Sequence, residues 1–149
     1  VVNNVGLMLQ YTNRVAEVHG NGHPEVIRIN QLAHALVNEL QPHLQKEEQI
    51  LFPHIKKLVG LKSEGKKIEQ KFVESPIAVM HQEHDAAGDI IKEIAQLSNN
   101  FTPPEGACNT YRAMYSKLEE FQNDLFQHIH LENNILFPKA ILLEEELSL

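Results

Sequence analysis

Tryptophan is absent from this sequence of 149 residues, and aromatic residues make up only 6% of it. The apolar core must therefore be built mainly from leucine, isoleucine, valine and alanine. The single cysteine, Cys108, excludes a disulfide within the chain and favours a reducing, cytoplasmic location. No apolar run approaches the roughly 20 residues that a membrane-spanning helix needs, and no signal-peptide segment opens the chain. These absences argue against a disulfide-stabilised fold and against a membrane-spanning helix.

Runs rich in lysine or arginine are also missing, and the formal net charge is −7. Phosphate backbones and anionic lipid surfaces are bound mainly by basic patches, so we expect neither nucleic acid nor a membrane as a partner. The length fits one domain, which we assign to residues 1–149. Because the chain begins with valine instead of methionine, we expect it to be a fragment of a longer protein.

Apolar residues recur at spacings of three and four along almost the whole chain, with little of the alternation that marks strands. This pattern predicts an all-α fold of four helices. Glycine, proline and serine-asparagine clusters separate the helices, which we place at about residues 3–19, 24–60, 75–97 and 102–143 or beyond. Pro42 lies inside the second helix and is expected to kink it. The short connections favour an up-down-up-down four-helix bundle.

Nine histidines are many for a chain of this size, and two of them open an internal repeat. Residues 43–53 read HLQKEEQILFP, and residues 128–138 read HIHLENNILFP. Both segments have a histidine, a glutamate four residues later, and then ILFP. On a helix, residues four apart share a face, with their Cβ atoms about 5–6 Å apart. The pairs His43/Glu47 and His128/Glu132 can therefore each reach one metal ion.

Two such helices facing each other would place two imidazoles and two carboxylates around one point. This mixture of nitrogen and oxygen donors suits iron or manganese, whereas an all-thiolate site would favour other metals. A structural duplication that binds no metal would leave the same repeat, so a metal-free interaction bundle is the alternative.

Other histidines add candidates with less specific spacing. His81 and His84 lie three residues apart in the third helix and share a face. His19 closes the first helix, where it could be a ligand, but a cation favoured by the helix dipole explains it as well. We interpret the remaining polar candidates as surface residues: His23, His34, His54, His130, Lys46, Glu48 and the acidic run at 144–146. Cys108 is interpreted as structural.

Four segments together resemble the hemerythrin-like (HHE cation-binding) family, and within it the di-iron proteins that repair iron–sulfur clusters. They are the two repeat copies, MHQEHD at residues 80–85 and TPPEGAC at residues 102–108. The resemblance covers most of the chain and implies a hemerythrin-like four-helix bundle. It also implies that a small N-terminal domain, which the family carries, is missing here.

The resemblance implies a centre of two iron ions with carboxylate and oxo or hydroxo bridges. The implied ligands are His19, His43, Glu47, His84, His128 and Glu132, with both glutamates bridging. The resemblance implies that Glu39 and Glu83 lie beside these ligands or on the access route. His81 is expected near the site, but it matches no ligand of the family. One further ligand histidine of the family would fall upstream of Val1.

The implied function is repair of iron–sulfur clusters after oxidative or nitrosative damage, by supplying iron, and not conventional enzymatic turnover. The implied partners are damaged iron–sulfur proteins, dioxygen or nitric oxide, and a second copy of the chain in a homodimer. The alternative within the same family is a module that carries or senses dioxygen or nitric oxide.

Overall fold

The computed structural model describes residues 5–149, and 81% of these residues are helical. The helix start predicted near Asn3 lies outside the described residues. Within them there is no strand, and only an isolated bridge pairs Ile68 with Ser148. The all-α prediction is therefore confirmed. No helix of the described part combines the length and apolar character that crossing a membrane requires.

Six α-helices and two π-helical turns follow one another along residues 5–149. In order they are α1 (Val5–His19), α2 (Pro24–Lys46), π1 (Glu47–Leu51), α3 (Phe52–Ser63), α4 (Glu74–Leu97), α5 (Asn109–Leu131), π2 (Glu132–Leu136) and α6 (Phe137–Leu147). The predicted second and fourth helices therefore each contain a π-helical turn. A π-turn adds one residue to a helical turn and is frequent at functional sites. Both turns begin at the glutamate of a repeat copy.

The predicted start of the last helix at residue 102 is wrong, because α5 begins only at Asn109. Asn99, Asn100 and Phe101 have φ angles of 49°, 55° and 60°, so the chain leaves α4 through left-handed backbone. Proline disfavours helical geometry in the residue before it, and the sequence continues with two prolines. A positive φ of 79° at Gly106 then delays the new helix further.

By packing, the chain divides into two compact units. The first unit comprises Ala86–Gln127 and the described part of Val1–Glu39. Its buried side chains are mainly aliphatic, with Tyr111 and Tyr115 among the few aromatic ones. The buried positions of α1 are Met8, Thr12 and Val15, spaced by four and three residues. This spacing is the apolar stripe that the sequence pattern predicted for the helix.

The second unit comprises Leu40–Asp85 and His128–Leu149, and it contains both repeat copies. Helices α3 and α6 pack against each other within it. Its apolar cluster is formed by Leu51, Val73, Ile77, Met80, Phe137 and Ala140. The leucine of one ILFP motif and the phenylalanine of the other therefore lie in the same core.

One predicted surface residue of the second unit is buried. Glu144 is 1% exposed, and both its carboxylate oxygens lie 3.0 Å from the backbone N–H of Val73. Its Oε2 atom also lies 3.1 Å from Nε2 of His54. The interpretation of residue 144 as solvated surface was therefore wrong, because the carboxylate accepts backbone hydrogen bonds from the segment before α4.

Candidate metal centre

Five side chains of the second unit meet at one point. Each offers one donor atom, and these atoms all lie within 4.8 Å of one another. The five residues are His43, Glu47, His84, His128 and Glu132. Four of them are buried, and His128 is partly exposed. The sequence repeat supplies four of the five.

Each repeat copy places its pair as the four-residue spacing predicts. Nε2 of His43 lies 2.8 Å from Oε1 of Glu47, and Nε2 of His128 lies 2.9 Å from Oε1 of Glu132. In both copies the histidine lies in the last turn of an α-helix, and the glutamate is the first residue of the π-turn that follows. The turn that departs from α-helical geometry therefore begins at the carboxylate itself.

Helix α4 supplies the fifth side chain and joins the two pairs. Nε2 of His84 lies 2.9 Å from Oε1 of Glu132 and 3.2 Å from Nε2 of His43. Between the copies, Nε2 of His128 lies 3.6 Å from Oε1 of Glu47. Three nitrogens and at least two oxygens therefore surround a common centre.

Several donor atoms at this centre are buried and have no hydrogen-bond partner among the described residues. They are Oε1 of Glu47, Nε2 of His128 and both carboxylate oxygens of Glu132. Their nearest neighbours are other members of the centre: Oε1 of Glu132 lies 2.9 Å from Nε2 of His128 and 2.9 Å from Nε2 of His84. Buried polar atoms are nearly always partnered in folded proteins. Two ligands at about 2.0–2.2 Å from one cation, at right angles to each other, are about 3 Å apart, so the arrangement fits a bound metal.

The electrostatics of the centre favour cations. The Glu132 carboxylate, followed by that of Glu47, raises the pKa of His128 to about 10. Burial lowers the pKa of His43, but the adjacent carboxylates of Glu47 and Glu83 outweigh burial and raise it. Burial also raises the pKa of Glu132, but contacts with the imidazoles of His128 and His84 hold it far below its usual range. The carboxylates that attract protons onto these imidazoles would attract a metal ion in the same way.

Two neighbouring side chains orient the imidazoles from outside the centre. Nδ1 of His43 lies 3.1 Å from Oε1 of Glu83, and Nδ1 of His84 lies 2.8 Å from Oδ1 of Asn133. In each case an oxygen that can accept the Nδ1–H leaves the lone pair of Nε2 for the centre. Lys46 donates to Oε2 of Glu83 at 2.8 Å. Burial raises the pKa of Glu83, but the hydrogen bonds from Lys46 and His43 outweigh burial and lower it.

Of the side chains predicted to lie beside the centre, Glu83 contacts a member directly. His81 is exposed, and its ring packs edge-on against Phe137 at 5.4 Å. Phe137 in turn stacks on the ring of His84 at 5.9 Å with an interplanar angle of 7°. Glu39 is exposed and belongs to the first unit.

The structure does not bring His19 into this group. His19 belongs to the first unit, where its Nε2 atom lies 3.3 Å from the thiol of Cys108. Its ring also packs against that of Tyr111 at 5.2 Å. The role of His19 as an iron ligand therefore stays a prediction from the resemblance.

Two residues around the centre were missed from the sequence: Asn133 contacts His84, and Lys46 contacts Glu83, the partner of His43. Asn133 was passed over although it directly follows a predicted ligand, and Lys46 was interpreted as surface although it directly precedes one. Their position next to a predicted ligand in the sequence was the signal that could have identified them. A residue beside a ligand at the start of a π-turn can point toward a neighbouring helix.

Known proteins similar to this chain include a cation-binding family and curated relatives. The family model for the hemerythrin HHE cation binding domain matches residues 5–140. The iron-sulfur cluster repair protein YtfE of Yersinia pseudotuberculosis serotype IB (strain PB1/+) is 50% identical over 107 residues, which are 72% of this chain and 44% of that protein. The protein of the same name from Yersinia pestis (strain Pestoides F) is similar to the same extent. The chain thus spans less than half the length of these curated relatives.

Proposed function

Because the chain belongs to the hemerythrin HHE cation-binding domain family, we propose that it holds two iron ions and supplies iron to rebuild damaged iron–sulfur clusters. Family membership agrees with the predicted hemerythrin-like, all-α fold class. The proposal for this chain extends to oxidative and nitrosative damage, to dioxygen or nitric oxide as ligands, to a homodimer and to a cytoplasmic location. These points are carried from the family resemblance.

One observation carries the metal-binding part of the proposal. Four buried donor atoms at a single point lack hydrogen-bond partners, and they belong to Glu47, His128 and Glu132. Leaving a buried polar group unpaired costs about 1–3 kcal/mol, and more when the group is charged. A cation removes this cost for all four atoms at once.

The use of two ions is supported by the carboxylates. Both oxygens of Glu132 are buried without a hydrogen-bond partner, so each could serve a different ion. We propose that Glu132 and Glu47 bridge two irons, and that His43, His84 and His128 bind at terminal positions. Iron held in this way supplies redox and Lewis-acid chemistry. None of the five side chains is a thiolate, which would hold the metal more permanently.

The proposal that the chain supplies iron to damaged clusters is supported by the names of the relatives, both of which are iron-sulfur cluster repair proteins. Bridging carboxylates can change between one-ion and two-ion binding without leaving the site. A centre built on them can therefore release one iron while the remaining ligands stay in place. The chain's own contribution is to hold the five donors together, four of them buried, and to keep the Glu132 carboxylate ionised.

Iron transfer tests the proposal directly. The full chain, loaded with iron(II) under anaerobic conditions, is mixed with a protein whose iron–sulfur cluster has been damaged by nitric oxide. We expect the cluster absorbance of the client to recover faster than with the same concentration of iron(II) salt. The variant Glu132→Ala is the control and should not accelerate recovery. Equal recovery with the protein and with the salt would contradict the proposal.

A different result would favour the carrier alternative. If the iron-loaded chain fails to transfer iron but gains a stable absorption band on exposure to dioxygen, which disappears when the gas is removed, reversible gas binding is the better assignment. The two outcomes differ in one respect: repair consumes the bound iron, whereas a carrier keeps it.

A further inference from the structure

The three imidazoles of the centre are not held equally. His43 is 1% exposed and His84 is 2% exposed, measured on their side chains. The Nδ1 atom of each has an acceptor outside the centre, which is a carboxylate for His43 and an amide for His84. An imidazole supported in this way is a more basic donor and is fixed in orientation.

His128 lacks both kinds of support. Its side chain is 25% exposed, and the described part of the chain provides no acceptor for its Nδ1 atom. Its ion-pair contacts are with Glu132 and Glu47, and its ring contacts are with His43 and His84. These four partners are themselves members of the centre.

The internal repeat makes this asymmetry informative. His43 and His128 occupy the same position of the two copies, four residues before a buried glutamate. Their local helices are also alike, since each precedes a π-turn. The two histidines therefore differ in the neighbour of their Nδ1 atoms. Glu83 of α4 accepts a hydrogen bond from Nδ1 of His43, whereas one edge of the His128 ring is exposed to solvent.

We propose that His128 is the exchangeable ligand of this centre, whose imidazole leaves first when iron is released, and that its exposed edge is the route by which ions enter and leave. This inference rests on the proposed function, because it assumes that the centre binds metal. His43 and His84 then form the permanent part of the site. The physical reason is that a ligand without an outer hydrogen bond loses less on leaving and finds water at once.

Matched glycine variants test the assignment. His43→Gly, His84→Gly and His128→Gly each remove one imidazole, and iron(II) affinity is measured by competition with a chelator. We expect His128→Gly to weaken iron(II) binding by about 10-fold. Loss of an outer hydrogen-bond partner of a ligand can weaken binding by roughly 100-fold, and we expect His43→Gly and His84→Gly to weaken it by more than that. Added imidazole should restore binding to His128→Gly only, because the other two cavities are buried.

A measurement on the wild-type chain tests the same assignment even if the variants fail to fold. In the protein loaded with cobalt(II), the Nδ1–H proton of each ligated imidazole gives a shifted NMR signal that exchanges with solvent. We expect two signals that exchange slowly, from His43 and His84, and one that is broadened or lost, from His128. Three equally protected signals, or fastest exchange at His43 or His84, would overturn the assignment.

The experiment separates this inference from the function on which it rests. A wild-type chain that binds neither iron(II) nor cobalt(II) would overturn the proposed function, and the present inference with it. A wild-type chain that binds metal, together with a His128→Gly variant as damaged and as poorly rescued as His43→Gly, would overturn only the exchangeable role of His128.

Discussion

The side chain of Asn133 accepts from Nδ1 of His84 across 2.8 Å, so the residue that follows one candidate ligand orients another. Asn133 lies in π2, and His84 lies in α4. A single turn of the second repeat copy thus supplies the carboxylate of Glu132 and also fixes the imidazole that contacts this carboxylate. The amide also selects the tautomer of His84 in which Nε2 has its lone pair toward the centre.

Replacing Asn133 by leucine should weaken metal binding. Leucine is similar in size but accepts no hydrogen bond, so His84 loses its orientation and some of its basicity. We expect iron(II) affinity to fall by about 10- to 100-fold, as measured by chelator competition. Asn134→Leu is the matched control, because Asn134 is exposed and its side-chain amide lies 2.8 Å from Nδ1 of the exposed His130, away from the centre. Equal affinities of the two variants would contradict the orienting role.

Replacing Glu83 by alanine should have a comparable effect through His43. The variant removes the carboxylate that lies 3.1 Å from Nδ1 of His43 and leaves Lys46 without its partner. We expect a loss of iron(II) affinity of about 10-fold or more. Gln82→Ala serves as the control, because Gln82 is the exposed preceding residue. If both variants bind iron as the wild type does, Glu83 has no positioning role.

Replacing His19 by alanine should leave the metal content unchanged. The family resemblance implies that His19 is a ligand, whereas the structure places its imidazole against Cys108 and Tyr111. We expect the same number of iron ions per chain as in the wild type, and an altered rate of Cys108 alkylation by iodoacetamide because the thiol loses its neighbour. A loss of iron comparable to that of His84→Ala would instead support ligation.

Much of this centre could be predicted from the sequence. The repeat of histidine, glutamate and ILFP pointed to four of the five side chains that lie together, because spacing on a helix fixes which residues share a face. His84 followed from the helix-three pair and from the resemblance. What the sequence could not supply was the position of His19, since a periodic pattern places residues on a face but does not say what the end of a helix meets.

The π-turns and the buried Glu144 escaped prediction for related reasons. A π-turn has the same apolar pattern as the helix around it, so only the structure shows the extra residue in each turn. Glu144 stands in a run of three glutamates, which favours a solvated surface, and its burial depends on backbone N–H groups 71 residues earlier in the chain. Long-range hydrogen bonds of this kind leave no local signature.

Replacing Glu144 by glutamine should destabilise the chain and change its response to acid. Burial by itself raises the pKa of Glu144, but hydrogen bonds from the N–H groups of Phe72 and Val73 and from His54 outweigh burial and lower it. A carboxyl with a lowered pKa in the folded state stabilises the fold above its unfolded pKa of 4.5. That stabilisation is lost as the pH falls from there through the folded value.

At pH 7 we expect Glu144→Gln to lower the free energy of unfolding by about 1–3 kcal/mol, as urea titration would show. The difference from the wild type should shrink as the pH falls below 4.5 and through the lowered pKa of folded Glu144, where the wild-type side chain also loses its charge. Glu145→Gln is the control, because Glu145 is exposed. A penalty that is the same at pH 7 and pH 3 would show that the charge of Glu144 is not what stabilises the fold.

The most direct test of the central claim is the metal content of the chain purified without oxygen, read together with its Mössbauer spectrum. The account predicts about two iron ions per chain in a nitrogen- and oxygen-ligated, coupled pair, and loss of this iron in Glu132→Ala. Iron near zero, with zinc held tightly by the same five side chains, would contradict it.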